Sequence, residues 1–371
     1  MHYKRALSIG QAVVGTMHAG RLSSAAVGRA LARVFDITPK SGIKQVDRLL
    51  GNEQFDVAAV FQHSVPWLVA HRAAIVVSLD WTEYGAHGHS RIAVNLVTTH
   101  GRATPLVWKT VETKRLKRRR NRVEDEVLRL LASVLPHGVR VTLLADRGFG
   151  DVKLYAYLEE LGWDFVIRFR AGIHVENAAG QVRTAGEWVP ARGQVRELPD
   201  ARVTAQHYPV NVVCVTQRAM KEAWCLATTL RGDTHRVVEL YGRRFTCEEN
   251  FRDEKDPRYG LGFRETAAST PERRDRFLVI TMLATILLTL LGGAGEHVGC
   301  DRILKANTST RRTHSLFRQG REYVEGCARR YREALKAAFV ALLNAHPIET
   351  ATCALICGDT SGQGRLRLQP K

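Results

Sequence analysis

A chain of 371 residues with 45% hydrophobic and 25% charged residues can bury a large core and is expected to divide into two or more units, as ordinary globular proteins do. Its 55 Lys and Arg against 37 acids, a net charge of +18, are not ordinary and point to a polyanionic partner, whether DNA, ribosomal RNA or an anionic membrane surface. The seven cysteines are scattered with no Cys-x2-Cys pair and no Cys/His zinc spacing, which excludes the usual zinc modules and suggests free thiols in a reducing cytoplasm.

Residues 1–70 read as helical. Ala25, Val27, Leu31, Val34 and Phe35 recur at helical steps behind a Ser23 or Ser24 cap. After the break at Pro39 and Gly42, residues 41–52 (SGIKQVDRLLGN) form an amphipathic helix. Ile43, Val46, Leu49 and Leu50 are on its buried face, and Lys44, Asp47 and Arg48 point outward. Residues 6–17 are mildly apolar but interrupted by Gly10, Gln11 and Gly15, so no export signal is expected.

From residue 72 the pattern changes to strands. Ala73–Leu79, Arg91–Thr98 and Leu106–Val111 are read as three, with Gly85, Gly88 and Gly101 in the turns and His87 and His89 as loop residues. Residues 114–122, KRLKRRRNR, form a dense basic run. It is read as a solvated loop that could also meet a DNA backbone. A helix over Arg122–Leu135, a strand over Val139–Ala145, a helix over Asp151–Leu161 and a strand over Phe165–Phe169 follow. This order predicts an α/β fold in which an antiparallel meander continues into parallel strands, a mixed sheet flanked by helices. Asp80 and Asp146 each stand where the chain is expected to leave the carboxyl end of a buried strand, a usual place for ligands in such sheets. A single Asp there is more often a turn or cap residue, and Asp151 is read as the cap of the next helix.

Residues 170–232 are rich in turns, at Asn177–Gly180, Gly193, Pro199-Asp200 and Pro209, with strand-like runs at Val210–Thr216 and Trp224–Thr228. Then comes YGRRFTCEENFRDEK, Tyr241 to Lys255, read as one helix ending before Pro257. At about 100° per residue, Tyr241, Arg244, Glu248 and Lys255 share an arc of about 60°, and Arg252 could join it. Such a stripe is either a solvated charged face or a site that grips phosphate.

The spacing Tyr-x2-Arg-x3-Glu-x6-Lys at Tyr241, Arg244, Glu248 and Lys255 resembles the signature of DDE transposases of the insertion-sequence-four family. The resemblance continues at Asp80 in SLDWT, at Asp146 in ADRGFGD, at the turn Asp256–Phe263 and at Arg48–Asn52, and spans roughly residues 40–320. It implies an RNase H-like fold, with Asp80, Asp146 and Glu248 as catalytic acids holding two Mg2+ ions, or Mn2+ in substitution. Asp80 would be the bridging ligand, Arg244 and Lys255 would hold the scissile phosphate, and Tyr241 would hydrogen-bond to it. Trp224 stands where hairpin-forming relatives stack an indole in place of a flipped base; a core Trp in a strand is the other reading.

The implied organisation is a helical DNA-end-binding region at 1–70 that uses Lys44 and Arg48, then a catalytic core at 71–170 and 233–295. A β-rich insertion at 171–232 divides the core, and a helical C-terminal region at 296–371 helps pair two protomers. The implied activity is cleavage of terminal inverted repeats through hairpins and transfer to target DNA, by a homodimer in the cytoplasm and not at a membrane. An RNase H-like nuclease without strand transfer and a non-catalytic, transposase-derived DNA-binding protein are the alternatives. The apolar run Phe277–Leu291 is short of the roughly 20 residues that cross a bilayer and reads as a buried helix. Ser315–Tyr323 and Tyr331–Leu343 read as further helices, Cys353 and Cys357 as core residues on one helix face, and residues 364–371 as a disordered tail.

Overall fold

The computed structural model describes residues 3–344 apart from Ala219, Tyr259, Arg264, Glu265, Ala267 and the side chain of Ala86. The expectations for Cys353, Cys357 and the tail at 364–371 lie outside the described residues.

Four helices come first: α1 (Tyr3–Ala19), α2 (Ser24–Val34), α3 (Pro39–Gly51) and α4 (Val57–Val69). Side-chain caps fix three of their starts, Ser23 on Ala26 N, Thr38 on Ser41 N and Asp56 on Ala58 N. Helices α2 and α3 cross with their backbones in contact. A Cβ on Gly28 would lie 2.4 Å from Ile43 Cα, and one on Gly42 would lie 2.2 Å from the Gly28 carbonyl oxygen. Val27, Leu31, Val46, Leu49 and Leu50 are buried there, while Ile43 is half-buried. Of the apolar residues at helical steps in this stretch, Val34 and Phe35 are exposed at the carboxyl end of α2.

The strands are β1 (Ala74–Tyr84), β2 (His89–Leu96), β3 (Thr104–Glu112), β4 (Arg140–Ala145), β5 (Asp164–Phe169), β6 (His174–Glu176), β7 (Val182–Thr184), β8 (Val195–Val203), β9 (Tyr208–Val215) and β10 (Trp224–Thr228). They form one ten-stranded mixed sheet in the order β3-β2-β1-β4-β5-β10-β9-β8-β6-β7. The first three are an antiparallel meander, and β1, β4 and β5 run parallel. The crossovers are α5 (Arg120–Val134) and α6 (Val152–Glu160). This is the mixed α/β sheet that the order of elements predicts, in the RNase H-like arrangement that the resemblance implies. Strand β10 pairs antiparallel with β5, so the strands after residue 170 extend the same sheet and cover an otherwise open edge. The turn expected at Pro199-Asp200 is a bulge inside β8. The register shifts between Leu198 and Ala201, Asp200 takes φ 49°, and a bulge tolerates the missing proline N–H. His89, expected in a loop, is buried at the start of β2.

The remaining helices are α7 (Thr234–Arg243), α8 (Phe245–Lys255), α9 (Pro271–His297), α10 (Leu316–Glu325) and α11 (Arg332–Asn344). The apolar run at 277–291 is the middle of α9. By length and composition α9 could cross a membrane, but 78% of its most apolar window is buried inside the protein. It packs against β3, α1 and α10 and joins the helical layer to the sheet.

Candidate active site

Backbone register assembles the first two acids. Strands β1 and β4 run parallel with Leu79 opposite Ala145, the last pair before β4 ends. The next residue after each of these is an acid, Asp80 and Asp146, so the two acids follow a paired position on adjacent strands, close enough for the charge of Asp146 to act on Asp80. Asp80 does not end its strand as expected. Strand β1 continues to Tyr84 because β2 pairs with it along that length, placing Ala93 opposite Asp80. Asp146 does leave its strand, and its Oδ1 accepts from Gly148 N at 2.8 Å in a single 3-10 turn. Asp151 caps α6 by accepting from Lys153 N at 3.0 Å.

The stretch 241–255 is not one helix. Helix α7 ends at Arg243 and α8 begins at Phe245, with i→i−3 bonds on either side, Arg244 N to Tyr241 O and Cys247 N to Arg244 O. The reason is burial. Tyr241 is buried among Leu144, Val166 and Val213, whereas α8 buries Cys247, Asn250, Phe251 and Glu254. A straight helix would set Tyr241 and Asn250 roughly 180° apart, on opposite faces. The break lets both go inside, and the single stripe of Tyr241, Arg244, Glu248 and Lys255 is lost with it.

Arg244 sits at the break with its side chain 7% exposed. Its Nη1 is 3.4 Å from Asp80 Oδ2, and its Nη2 donates to Glu248 Oε1 at 2.6 Å. Its guanidinium lies 4.9 Å from the Phe245 ring centre, and its Nε is buried without a hydrogen-bond partner. Burial pushes the Asp80 carboxyl up to about 6; Arg244 opposes this, while the charges of Asp146 and Glu248 add to it. The three acids therefore share one electrostatic neighbourhood, with Arg244 as its cation. Burial also raises the Tyr241 hydroxyl, against the pull of Arg244. Trp224 is half-buried at the start of β10, edge-on to Tyr241 at 4.8 Å and 6.1 Å from Phe245.

The other expected contacts lie elsewhere. Lys255 Nζ lies over the rings of Tyr84 at 5.3 Å and Phe251 at 5.9 Å, about two helical turns beyond Glu248. Arg252 is exposed and pairs with Glu249 at 2.9 Å. Lys44 and Arg48 are exposed on α3 in the N-terminal helical layer.

A buried ionic network absent from the expectations holds α8 over β1. Glu254 accepts from the Tyr84 hydroxyl at 2.6 Å and from Arg91 Nη1 at 2.9 Å, and all three are buried. Arg274 stacks on Tyr84 at 4.4 Å and donates from Nε to His89 Nδ1 at 3.1 Å. Asn95 donates to Cys247 Sγ at 3.1 Å. Asp80, Thr82 and Tyr84 alternate onto the face under α8. Trp81 faces the other way, where its indole donates to Glu124 at 2.7 Å. The sequence signal was available in His89–Leu96, a strand buried throughout that carries Arg91 and Asn95.

Carboxylate oxygens are the donors that a hard divalent cation prefers, and such a cation would offset both the burial that chiefly raises Asp80 and the added repulsion of Asp146 and Glu248. The set is not closed around an ion. Among the described residues no three Asp, Glu, His or Cys side chains are grouped to hold one, because Glu248 turns onto Arg244. The Glu248 side chain is 49% exposed.

The sheet order and the register-matched acids define an RNase H-like domain of the kind that acts on nucleic acid. Residues 72–287 match the family described as the transposase DDE domain, over more than half of the chain, and the chain belongs to that family. A comparison with curated proteins found no match. As a DDE transposase the chain is an enzyme that acts on DNA, in a family that generally uses divalent metals.

Proposed function

We propose that this chain is a cut-and-paste transposase of the insertion-sequence-four kind. It binds the terminal inverted repeats of its own mobile element, cuts there and joins the ends to target DNA. The observation that supports this best is that Asp80 and Asp146 directly follow the Leu79–Ala145 pair of β1 and β4, with Arg244 joining Asp80 to Glu248. Asp80, Asp146 and Glu248 would hold two Mg2+ ions, or Mn2+ in their place. Bound there, the metal would neutralise charge on the phosphodiester and ease deprotonation of the attacking hydroxyl.

The chain's own groups orient the DNA. The Arg244 guanidinium, held between Asp80 and Glu248, would meet a phosphate oxygen if Glu248 turned to a metal ion. The Tyr241 hydroxyl lies beside it as a neutral donor. Trp224, packed on Tyr241 and only half-buried, offers an indole face for a flipped base during hairpin formation. Lys255 and Arg252 meet phosphates farther along the strand. Lys44 and Arg48, exposed on α3, contact the element end, and two protomers act together in the cytoplasm.

The test is incubation of purified protein with its element-end duplex and Mn2+, beside Asp80→Asn, Asp146→Asn and Glu248→Gln. Nicks and hairpins in wild type, absent in all three variants, are expected. Wild-type cleavage by any one variant removes that residue from the assignment, and cleavage that never yields joined product makes the protein a nuclease. Normal hairpin formation by Trp224→Ala would return Trp224 to a packing role.

A further inference from the structure

We infer that the turn Lys117-Arg118-Arg119 is a phosphate-binding ridge for the duplex whose scissile phosphate lies at Asp80 and Asp146. The inference rests on the DNA-cleaving reading above and adds a contact surface to it. Seven of the nine residues 114–122 are Lys or Arg, but they are not equivalent. Lys114 and Arg115 pair with Glu112, Arg120 lies 3.8 Å from Glu124, and Arg122 pairs with Glu126. Lys117, Arg118 and Arg119 are exposed and have no acidic partner among the described residues. Arg118 holds φ 59°, the left-handed turn by which the chain passes from a 3-10 turn after β3 into α5.

Two contacts tie this turn to the acids. Arg120 lies over the Trp81 ring at 4.9 Å, and Trp81 is the neighbour of Asp80. Asn121 donates to Asp151 Oδ2 at 2.7 Å, in the loop that Asp146 opens. Strands β1, β3 and β4 all deliver their chains to this same edge of the sheet. Arg244 approaches the acids from the α7–α8 face, so the basic turn flanks them from the α5 face. A polyanion crossing the carboxyl edge would meet Arg244 on one side and three unpaired cations on the other. The chemistry suits consecutive phosphates of a duplex backbone and needs no base contact.

The test uses full-length protein and a labelled mixed-sequence duplex, with dissociation constants measured across salt concentrations without divalent metal. Lys117→Gln, Arg118→Asn and Arg119→Gln are combined, Asn being chosen because it tolerates the left-handed turn. A charge-matched control changes Arg329, Arg332 and Lys336 to Gln, and single Arg119→Gln guards against a folding defect in the triple. The log–log salt slope of the triple should be shallower than wild type by about 2–3, at ~0.9 per phosphate. Single Arg119→Gln should show roughly a third of that change, and the control little. An unchanged slope in the triple, or an equal change in the control, overturns the ridge while wild-type binding keeps the transposase reading intact. If wild type binds no duplex at all, both fall together.

Discussion

Asp80 carries both the chemistry and a cost. Its folded pKa of about 6 lies above the unfolded value of about 3.9, so the fold holds the proton more tightly than the open chain. The stabilisation is fully present below about pH 4 and is lost as pH rises through about 6, on the order of 3 kcal/mol. Asp80→Asn is therefore expected to melt above wild type at pH 7 in metal-free buffer and to match it at pH 4. Equal melting at pH 7 would mean that burial and the neighbouring acids do not penalise the Asp80 charge. Arg244 works in the opposite direction. Arg244→Gln should raise the Asp80 pKa further and cut the nicking rate by about 10²-fold or more, by analogy with the loss of a preorganised donor. NMR titration and single-turnover nicking would read the two effects separately.

At the scale of elements, α8 is held by polar contacts. Its outward side is charged, and its hold on β1 comes from Glu254 on Tyr84 and Arg91, with Asn95 on Cys247. Removing one partner of a buried pair leaves an uncompensated charge, so Glu254→Leu should cost about 3–5 kcal/mol in urea unfolding. Glu254→Gln can accept from Arg91 on its one oxygen while its amide donates to the Tyr84 hydroxyl, so it should cost less. Amide exchange in α8 should quicken in Glu254→Leu. If α8 stayed fully protected, the network would not be what seats Glu248. Much at this scale was legible in the sequence. The β1–β5 order followed from period-2 runs separated by amphipathic helices, and Ser23 and Asp151 cap where their residue types suggested. The break at Arg244 was not legible, because each half of 241–255 is a sound helix and only the opposed burial of Tyr241 and Asn250 divides them.

For the whole molecule, the net charge of +18 becomes interpretable only once pairing is known. Many basic groups are neutralised locally, as at Arg91–Glu254 and Arg312–Glu296, and what remains for DNA is a matter of position. Divalent cation should stabilise the folded protein by mass action if the three acids bind it. Mg2+ added at pH 7 should raise the melting temperature of wild type and leave Asp80→Asn almost unmoved. An equal rise in both would place the ion elsewhere.

The sequence by itself determined the class of fold, the polyanionic partner and the spacing at 241–255 that resembles a transposase signature. Hydrophobic period, charge and residue order are properties of the chain read along its length. Only the tertiary structure decided that Asp80 lies inside β1 in reach of the charge of Asp146, that Arg244 stands between Asp80 and Glu248, and that Lys255 turns to Tyr84. Those facts depend on strand register and on which faces are buried. Register is set by pairing between segments more than 60 residues apart, as at Leu79 and Ala145, and no local pattern encodes it.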